Sequence, residues 1–204
     1  MARRTWHKSA DTRTEILDEA EHQLQAVGYA DMTIGSIAKA LGMSPANIFK
    51  NFGNKAGLID AVALRWVMEI DEAIETTADI PSASLRLRAM AHLILKIHLV
   101  RGETPARLAI MIGLDSTPPP SALAFFHRLL HRLERLIEEG VAAGEFAPCD
   151  APITAAAVCD CLMTILDPAA VLRARSIFSS EEMTRKCDHL IDFVIRGLSG
   201  VLEK

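Results

Sequence analysis

The sequence predicts an all-α fold, with a head of three short helices followed by a larger helical body. Three observations lead there. Apolar residues recur at helical spacing along most of the 204-residue chain, and no segment shows the alternation of a strand. Helix starts carry Ser or Thr at capping positions, and the breaks between helices coincide with Gly or Pro. Half of the residues are hydrophobic and 24% are charged, which suits a water-exposed globular chain.

The elements follow in order. Thr12 and Glu15 read as a capping box, and Ile16, Leu17, Ala20, Leu24 and Val27 form a stripe ending at Gly28. Thr33 caps a short helix with Ile34, Ile37, Ala38 and Leu41 on one face, stopped by Gly42. Ser44 caps the next, with Pro45 at its first position. A break at Gly53-Asn54 precedes a longer helix from about Lys55 to Thr76, with Ile59, Val62, Ala63, Trp66 and Ile70 inward. A connection over 76–84 leads to helices near 84–101, 104–114, 120–143, 152–166 and 180–199. Pro118-Pro119-Pro120, Gly144 and Asp167-Pro168 mark the breaks, and Ser179 with Glu182 gives another capping box. The domains expected are 1–54, a helix-turn-helix head with a basic arm, and 55–204, a regulatory and dimerisation body entered through a connecting helix at 55–76.

Charge distribution says more than the net value of -4. Residues 1–55 hold seven basic and six acidic side chains, whereas the rest holds fifteen and twenty. The first ten residues carry Arg3, Arg4 and Lys8 and no acid. A basic tip on an acidic body suits contact with a polyanion at one end only. No secretory pattern is expected, because the basic start runs into Ser9–Glu15, and no apolar run has the length of a membrane span. Cytoplasmic placement without membrane contact is expected, and Cys149, Cys159, Cys161 and Cys187 read as plain buried thiols, with redox or metal roles as the alternative.

The link Leu41-Gly42-Met43-Ser44 between two short helices matches a helix-turn-helix: a glycine turn, then a capped helix able to enter the major groove. The run from Thr33 to Lys55, Thr33-Ile34-Gly35-Ser36-Ile37-Ala38-Lys39-Ala40-Leu41-Gly42-Met43-Ser44-Pro45-Ala46-Asn47-Ile48-Phe49-Lys50-Asn51-Phe52-Gly53-Asn54-Lys55, resembles the signature of the TetR family of transcriptional regulators. Ile16-Leu17, Gly28-Tyr29 and Leu58 extend the likeness over about residues 11–65. The resemblance implies a dimer on a double-stranded DNA operator, acting as a repressor released by a small-molecule effector. It implies that Thr33 and Ser44 anchor phosphates, and that Pro45, Ala46 and Asn47 face the groove. Asn47 is the candidate for reading a base edge, since a carboxamide pairs bidentately with adenine. Lys50 and Asn51 reach a base or phosphate, unless Lys50 is a plain surface charge, Lys55 reaches a backbone phosphate, and the arm of Arg3, Arg4 and Lys8 follows a groove or meets only solvent. One departure stands out: the family usually has Tyr where this chain has Phe49, which cannot donate to a phosphate and packs or stacks instead. Phe52 reads as core.

In the body, Ala155, Val158, Leu162 and Ile165 with Cys187, Leu190, Ile191, Val194 and Leu198 read as a dimer surface, or else as intramolecular core. Met90, Ile94, Ile97, His98, Met111, Leu114, Phe126 and Leu130 are the candidate lining of an effector pocket, and each also reads as ordinary core. No cofactor is expected. Glu19-x-x-His22 lacks the second such element a di-iron bundle needs, so His22 reads as a surface residue. His127 and His131 share a helix face, leaving a metal-responsive regulator open as an alternative. No glycine-rich phosphate loop, nucleophile elbow or zinc-finger spacing occurs, so an enzyme is not expected. A helical interaction module that has lost DNA binding is the other alternative.

Overall fold

The computed structural model describes residues 4–101 and 118–200, without the side chains of 4–10, 101, 168 and 169. Within them every regular element is a helix: α1 (Arg4–Asp31), α2 (Ile34–Ala40), α3 (Pro45–Phe52), α4 (Lys55–Glu75), α5 (Ala83–Arg101), α6 (Pro120–Ala142), α7 (Ala151–Leu166), α8 (Pro168–Arg175) and α9 (Ser180–Leu198). The helix expected near 104–114, with Met111 and Leu114, lies outside the described residues. The chain divides into two compact units, and two of the three boundaries between them fall inside helices, after Val67 in α4 and after Ala122 in α6.

The first unit is built on one apolar cluster. Ile16, Ala20 and Leu24 of α1 meet Ile34, Ile37 and Ala38 of α2, Ile48 of α3, and Leu58, Ile59, Val62, Ala63 and Trp66 of α4. Polar ties surround it. Glu21 of α1 accepts from the Trp66 indole at 2.7 Å and pairs with Arg65 at 2.8 Å, while Asp18 takes the other arm of Arg65. Asp60 of α4 receives both the backbone N–H and the hydroxyl of Ser121, at 2.9 and 2.7 Å, closing the first turn of α6.

Two features of this unit differ from expectation. The first helix starts before Thr12, so Thr12 lies inside α1 and not at its cap. Gly28 does interrupt the helix as expected, at a kink with a non-helical backbone at φ 77° and ψ 174°, and a last short helical stretch runs from there to Asp31. Val27 faces outward, because Ile16, Ala20 and Leu24 alone complete the inward stripe before that kink.

The second unit packs α5 against α9, α7 and α8. Its α8 was not expected, since Asp167-Pro168 reads as a plain break. Proline suits the first turn of a helix, and Asp167 accepts from Ala170 N at 3.2 Å, so the same residues that end α7 begin α8. Leu87, Met90, Ala91, Ile94 and Leu95 of α5 are buried with Ala155, Val158, Cys159, Leu162 and Ile165 of α7, and Met183, Cys187, Ile191, Val194 and Leu198 of α9. Burial pushes the thiols of Cys159 and Cys187 up to about 11, which keeps them protonated and inert. Cys149 and Cys161 are exposed, contrary to a uniform reading of buried thiols. Among the described residues no helix is long and apolar enough to cross a membrane.

Glu145, in the turn after α6, closes the start of α5. Its carboxylate accepts from Ala83 N at 2.9 Å, Ser84 N at 3.1 Å, and the hydroxyls of Ser82 and Ser84 at 2.7 and 2.8 Å. The Ser82 hydroxyl and the backbone N–H groups pull its carboxyl down to about 2. The carboxyl therefore holds its proton less tightly folded than unfolded. Its contribution is complete above the unfolded value near 4.5 and fades as pH falls toward 2. Glu145→Ala removes the cap, and thermal unfolding at pH 7 should show a loss of about 1–2 kcal/mol. The gap from the parent protein should narrow steadily when the same scans are run at pH 4, 3 and 2.

Candidate nucleic-acid interface

The interface candidate begins at the Thr33 cap. Ser36 N donates to Thr33 Oγ1 at 2.9 Å and Thr33 N donates back to Ser36 Oγ at 3.1 Å, a reciprocal pair that starts α2. The Ser36 hydroxyl lies 2.6 Å from Gln23 Oε1, which ties α2 to α1. Gly42 turns the chain in the left-handed region at φ 61°, and Met43 N returns to Ala38 O at 2.9 Å. Ser44 then occupies the cap position of α3 but makes no side-chain capping bond, so its hydroxyl stays exposed.

Only one residue of α3 is fully buried. Ile48 enters the shared core, while Pro45, Ala46, Phe49 and Lys50 are exposed and Asn47, Asn51 and Phe52 are half-buried. Phe49, at 48% exposure, is a surface aromatic and not packing. Phe52 borders the core and carries the Arg13 guanidinium over its ring at 4.4 Å.

The carboxamide of Asn47 is already engaged. Asn51 Nδ2 donates to Asn47 O at 2.8 Å and lies 3.3 Å from Asn47 Oδ1, while Asn47 Nδ2 sits 3.7 Å from Met43 Sδ. A bidentate pairing with adenine would have to displace these contacts, and they fix the amide in one orientation beforehand. Lys55 is likewise used internally, for its Nζ donates to Tyr29 O at 2.6 Å and lies 4.1 Å from the centre of the Tyr29 ring. It ties the start of α4 to the end of α1, so a phosphate contact would fall to its remaining N–H groups. Arg3 and the side chains of Arg4 and Lys8 lie outside the described residues.

Sequence reasoning missed two residues that set α3 in place. Arg13 donates to Asn51 O at 2.9 Å, closing the C-terminal end of the helix from α1. Gly57 sits where α3 turns into α4: a Cβ there would meet Phe52 O at 2.2 Å. Asn54 Oδ1 accepts from Gly57 N at 2.8 Å and caps α4 at the same place. The Asn-x-x-Gly spacing after a helix stop was the available signal for the second. Nothing in the sequence pairs Arg13 with a carbonyl 38 residues away.

Two family descriptions match this chain. Residues 16–62 match bacterial regulatory proteins of the tetR family, and residues 83–190 match the tetracyclin repressor-like C-terminal domain. The second alone covers more than half of the chain. The chain belongs to the TetR family of bacterial regulatory proteins. Membership makes it a transcriptional regulator with a helix-turn-helix, formed here by α2 and α3. Residues of this chain are 36% identical over 62 positions to the HTH-type transcriptional regulator TtgR of Pseudomonas putida and to the probable regulator ArpR of the same species. Those alignments span 30% of this chain and 30% of each relative. Solved structures extend the likeness in fold to nearly the whole length. A putative TetR-family regulator from Syntrophomonas wolfei superposes with a TM-score of 0.73 at 20% identity, covering 95% of this chain and 98% of that one. A TetR-family regulator from Pectobacterium atrosepticum gives 0.68 at 20% identity, covering 96% and 97%.

In the regulatory part, the structure corrects several expected positions. Ala155, Val158, Leu162, Ile165, Cys187, Ile191, Val194 and Leu198 are buried inside the unit, and Leu190 is half-buried. Apart from Leu190 they have little area left for a second chain, which favours the intramolecular-core alternative at those eight positions. Met90 and Ile94 do line an apolar cavity, together with Leu133 and Leu162, but it measures about 10 Å³. That is room for about one water and no effector. On α6 the inward residues are Phe125 and Leu129, each one step from the Phe126 and Leu130 expected; Phe126 is exposed and Leu130 half-buried. Ile97 is half-buried, and His98 is buried with Nε2 at 3.1 Å from Leu166 O. His127 and His131 are exposed, His131 facing Glu134 at 3.2 Å, and no three His, Cys, Asp or Glu side chains converge among the described residues.

Substitutions at three of these positions should separate support from reading. Gly57→Ala should displace the end of α3, costing about 1–3 kcal/mol in chemical denaturation and weakening operator binding with it. Asn47→Ala should relax discrimination at one base pair by about 1–3 kcal/mol in competition binding assays. Lys55→Ala should instead lower stability and weaken all DNA sequences alike, because the tie it removes is to Tyr29.

Proposed function

We propose that the protein is a homodimeric, cytoplasmic repressor that holds a double-stranded operator through α3 and releases it when a small molecule binds the helical body. The observation that carries the DNA-binding part is the one-sided burial of α3: Ile48 anchors it while Pro45, Ala46, Phe49 and Lys50 face out. In this reading Thr33 and Ser44 meet phosphates, while Asn47, Lys50 and Asn51 face base edges. Phe49 lies against backbone sugar, where the usual tyrosine would bond a phosphate. Repression is supported by the repressor-like description that residues 83–190 match.

The partner surface for a second copy moves to the outer faces of α7 and α9. Ile153 and Phe193 are each 69% exposed, and Met163, with the small Ala156 and Ala157, continues the face on α7. Large apolar side chains so exposed favour burial against another chain, and a two-fold arrangement presents two α3 helices to successive half-sites.

A gel shift with the DNA around the protein's own gene tests this reading. Specific retention should weaken steeply as salt rises, with a slope of several phosphates on a double-logarithmic plot. Phe193→Glu should convert the dimer to a monomer in sedimentation and reduce operator affinity at least tenfold. A parent protein that runs as a monomer, or retains no DNA at low salt, would count against it.

A further inference from the structure

The end of α4, the first turns of α5 and the second half of α6 enclose a cleft of about 200 Å³ in the second unit. Its floor is apolar, made by Ile74, Met90 and Leu136, and its rim carries Arg86, Arg132 and Arg135. The charges around it do not balance. Arg132 is held by Asp71 and Glu75, Arg128 pairs with Asp71 at 2.6 Å, and Arg86 pairs with Glu139 at 2.7 Å. Four guanidinium groups therefore face three carboxylates. The one left over is Arg135, which makes no ion pair with any described residue. A second observation points the same way. The Nε–H of Arg86 is buried and has no hydrogen-bond partner among the described residues, although buried donors are almost always paired.

We propose that this cleft binds a small amphipathic carboxylate. The anion sits between the guanidinium groups of Arg86 and Arg135, and the apolar body lies on Ile74, Met90 and Leu136. Arg132 is occupied by Asp71 and Glu75, so it acts as a fixed wall and leaves the ligand to Arg86 and Arg135. An amine would meet the excess positive charge. A volume of about 200 Å³ is below the range of drug-sized pockets, which favours a medium-chain or single-ring acid. The assignment rests on the reading that the helical body takes an effector, and it gives that effector a chemical class and a place apart from the filled core around Ile94.

Calorimetric titration of the full-length protein with sodium octanoate is the test, with octylamine, octan-1-ol and inorganic phosphate as comparison probes. Saturable binding of one octanoate per chain is expected, at least tenfold tighter than any of the other three. Arg135→Glu should weaken octanoate at least tenfold, and Ala78→Trp, which fills the cleft, should do the same. Absence of octanoate binding, equal binding of octylamine or phosphate, or unchanged affinity in Arg135→Glu would overturn the assignment. A gel shift of the same protein without ligand separates the two levels. Retained DNA with no octanoate binding refutes the cleft alone, whereas loss of both refutes the regulatory reading beneath it.

Discussion

The reading head depends on the burial of a single side chain. The eight-residue α3 has too few hydrogen bonds to stand alone, and Ile48 is its only fully buried member. Burying an isoleucine contributes about 1.5–3 kcal/mol, enough to hold the helix against α2 and α4 while its other faces stay in water. The surrounding contacts fix how the anchored helix is presented. Gly57 allows the α4 backbone to approach Phe52 O, and Arg13 closes the last carbonyls from α1. A helix held by one apolar peg and clamped at its C-terminal end offers its N-terminal turn outward, which is the end that enters a groove.

The second unit is organised by polar ties at its edges as well as by its core. Glu145 gathers the first turn of α5 with four hydrogen bonds, and Arg88 and His92 of α5 meet Asp188 of α9, the histidine at 2.8 Å. Among the described residues the apolar space between α5, α6 and α7 measures about 10 Å³, whereas the arginine-rimmed cleft between α4, α5 and α6 measures about 200 Å³. An effector bound in the proposed cleft would act on helix ends and ion pairs, which shift more readily than packed leucines.

Much of the fold was legible because caps and breaks are local. Thr33, Gly42 and the Ser179–Glu182 box announce their helices in four residues or fewer, and the structure places them where the sequence did. The helix-turn-helix was legible for the same reason, with Ser44 and Pro45 at the start of α3. Faces were harder. A stripe such as Cys187, Ile191, Val194 and Leu198 states that a helix is buried, but not whether its own chain or another covers it. The α6 face was displaced by one residue because Phe125-Phe126 and Leu129-Leu130 are apolar doublets, and only packing selects the inner member of each. Internal use of Lys55 was not visible either, since Tyr29 lies 26 residues away and is brought close only by the fold. Asn47 and Asn51, by contrast, are an i, i+4 pair whose contact the helix spacing already offered.

The central claim is that α3, presented by the Ile48 anchor, reads a specific duplex. In vitro selection from a random pool of duplexes, with the bound fraction sequenced, tests it most directly. The expected result is an enriched inverted repeat whose half-sites lie about one helical turn, roughly 10 base pairs, apart. A pool that emerges unenriched after repeated rounds at low salt would contradict it.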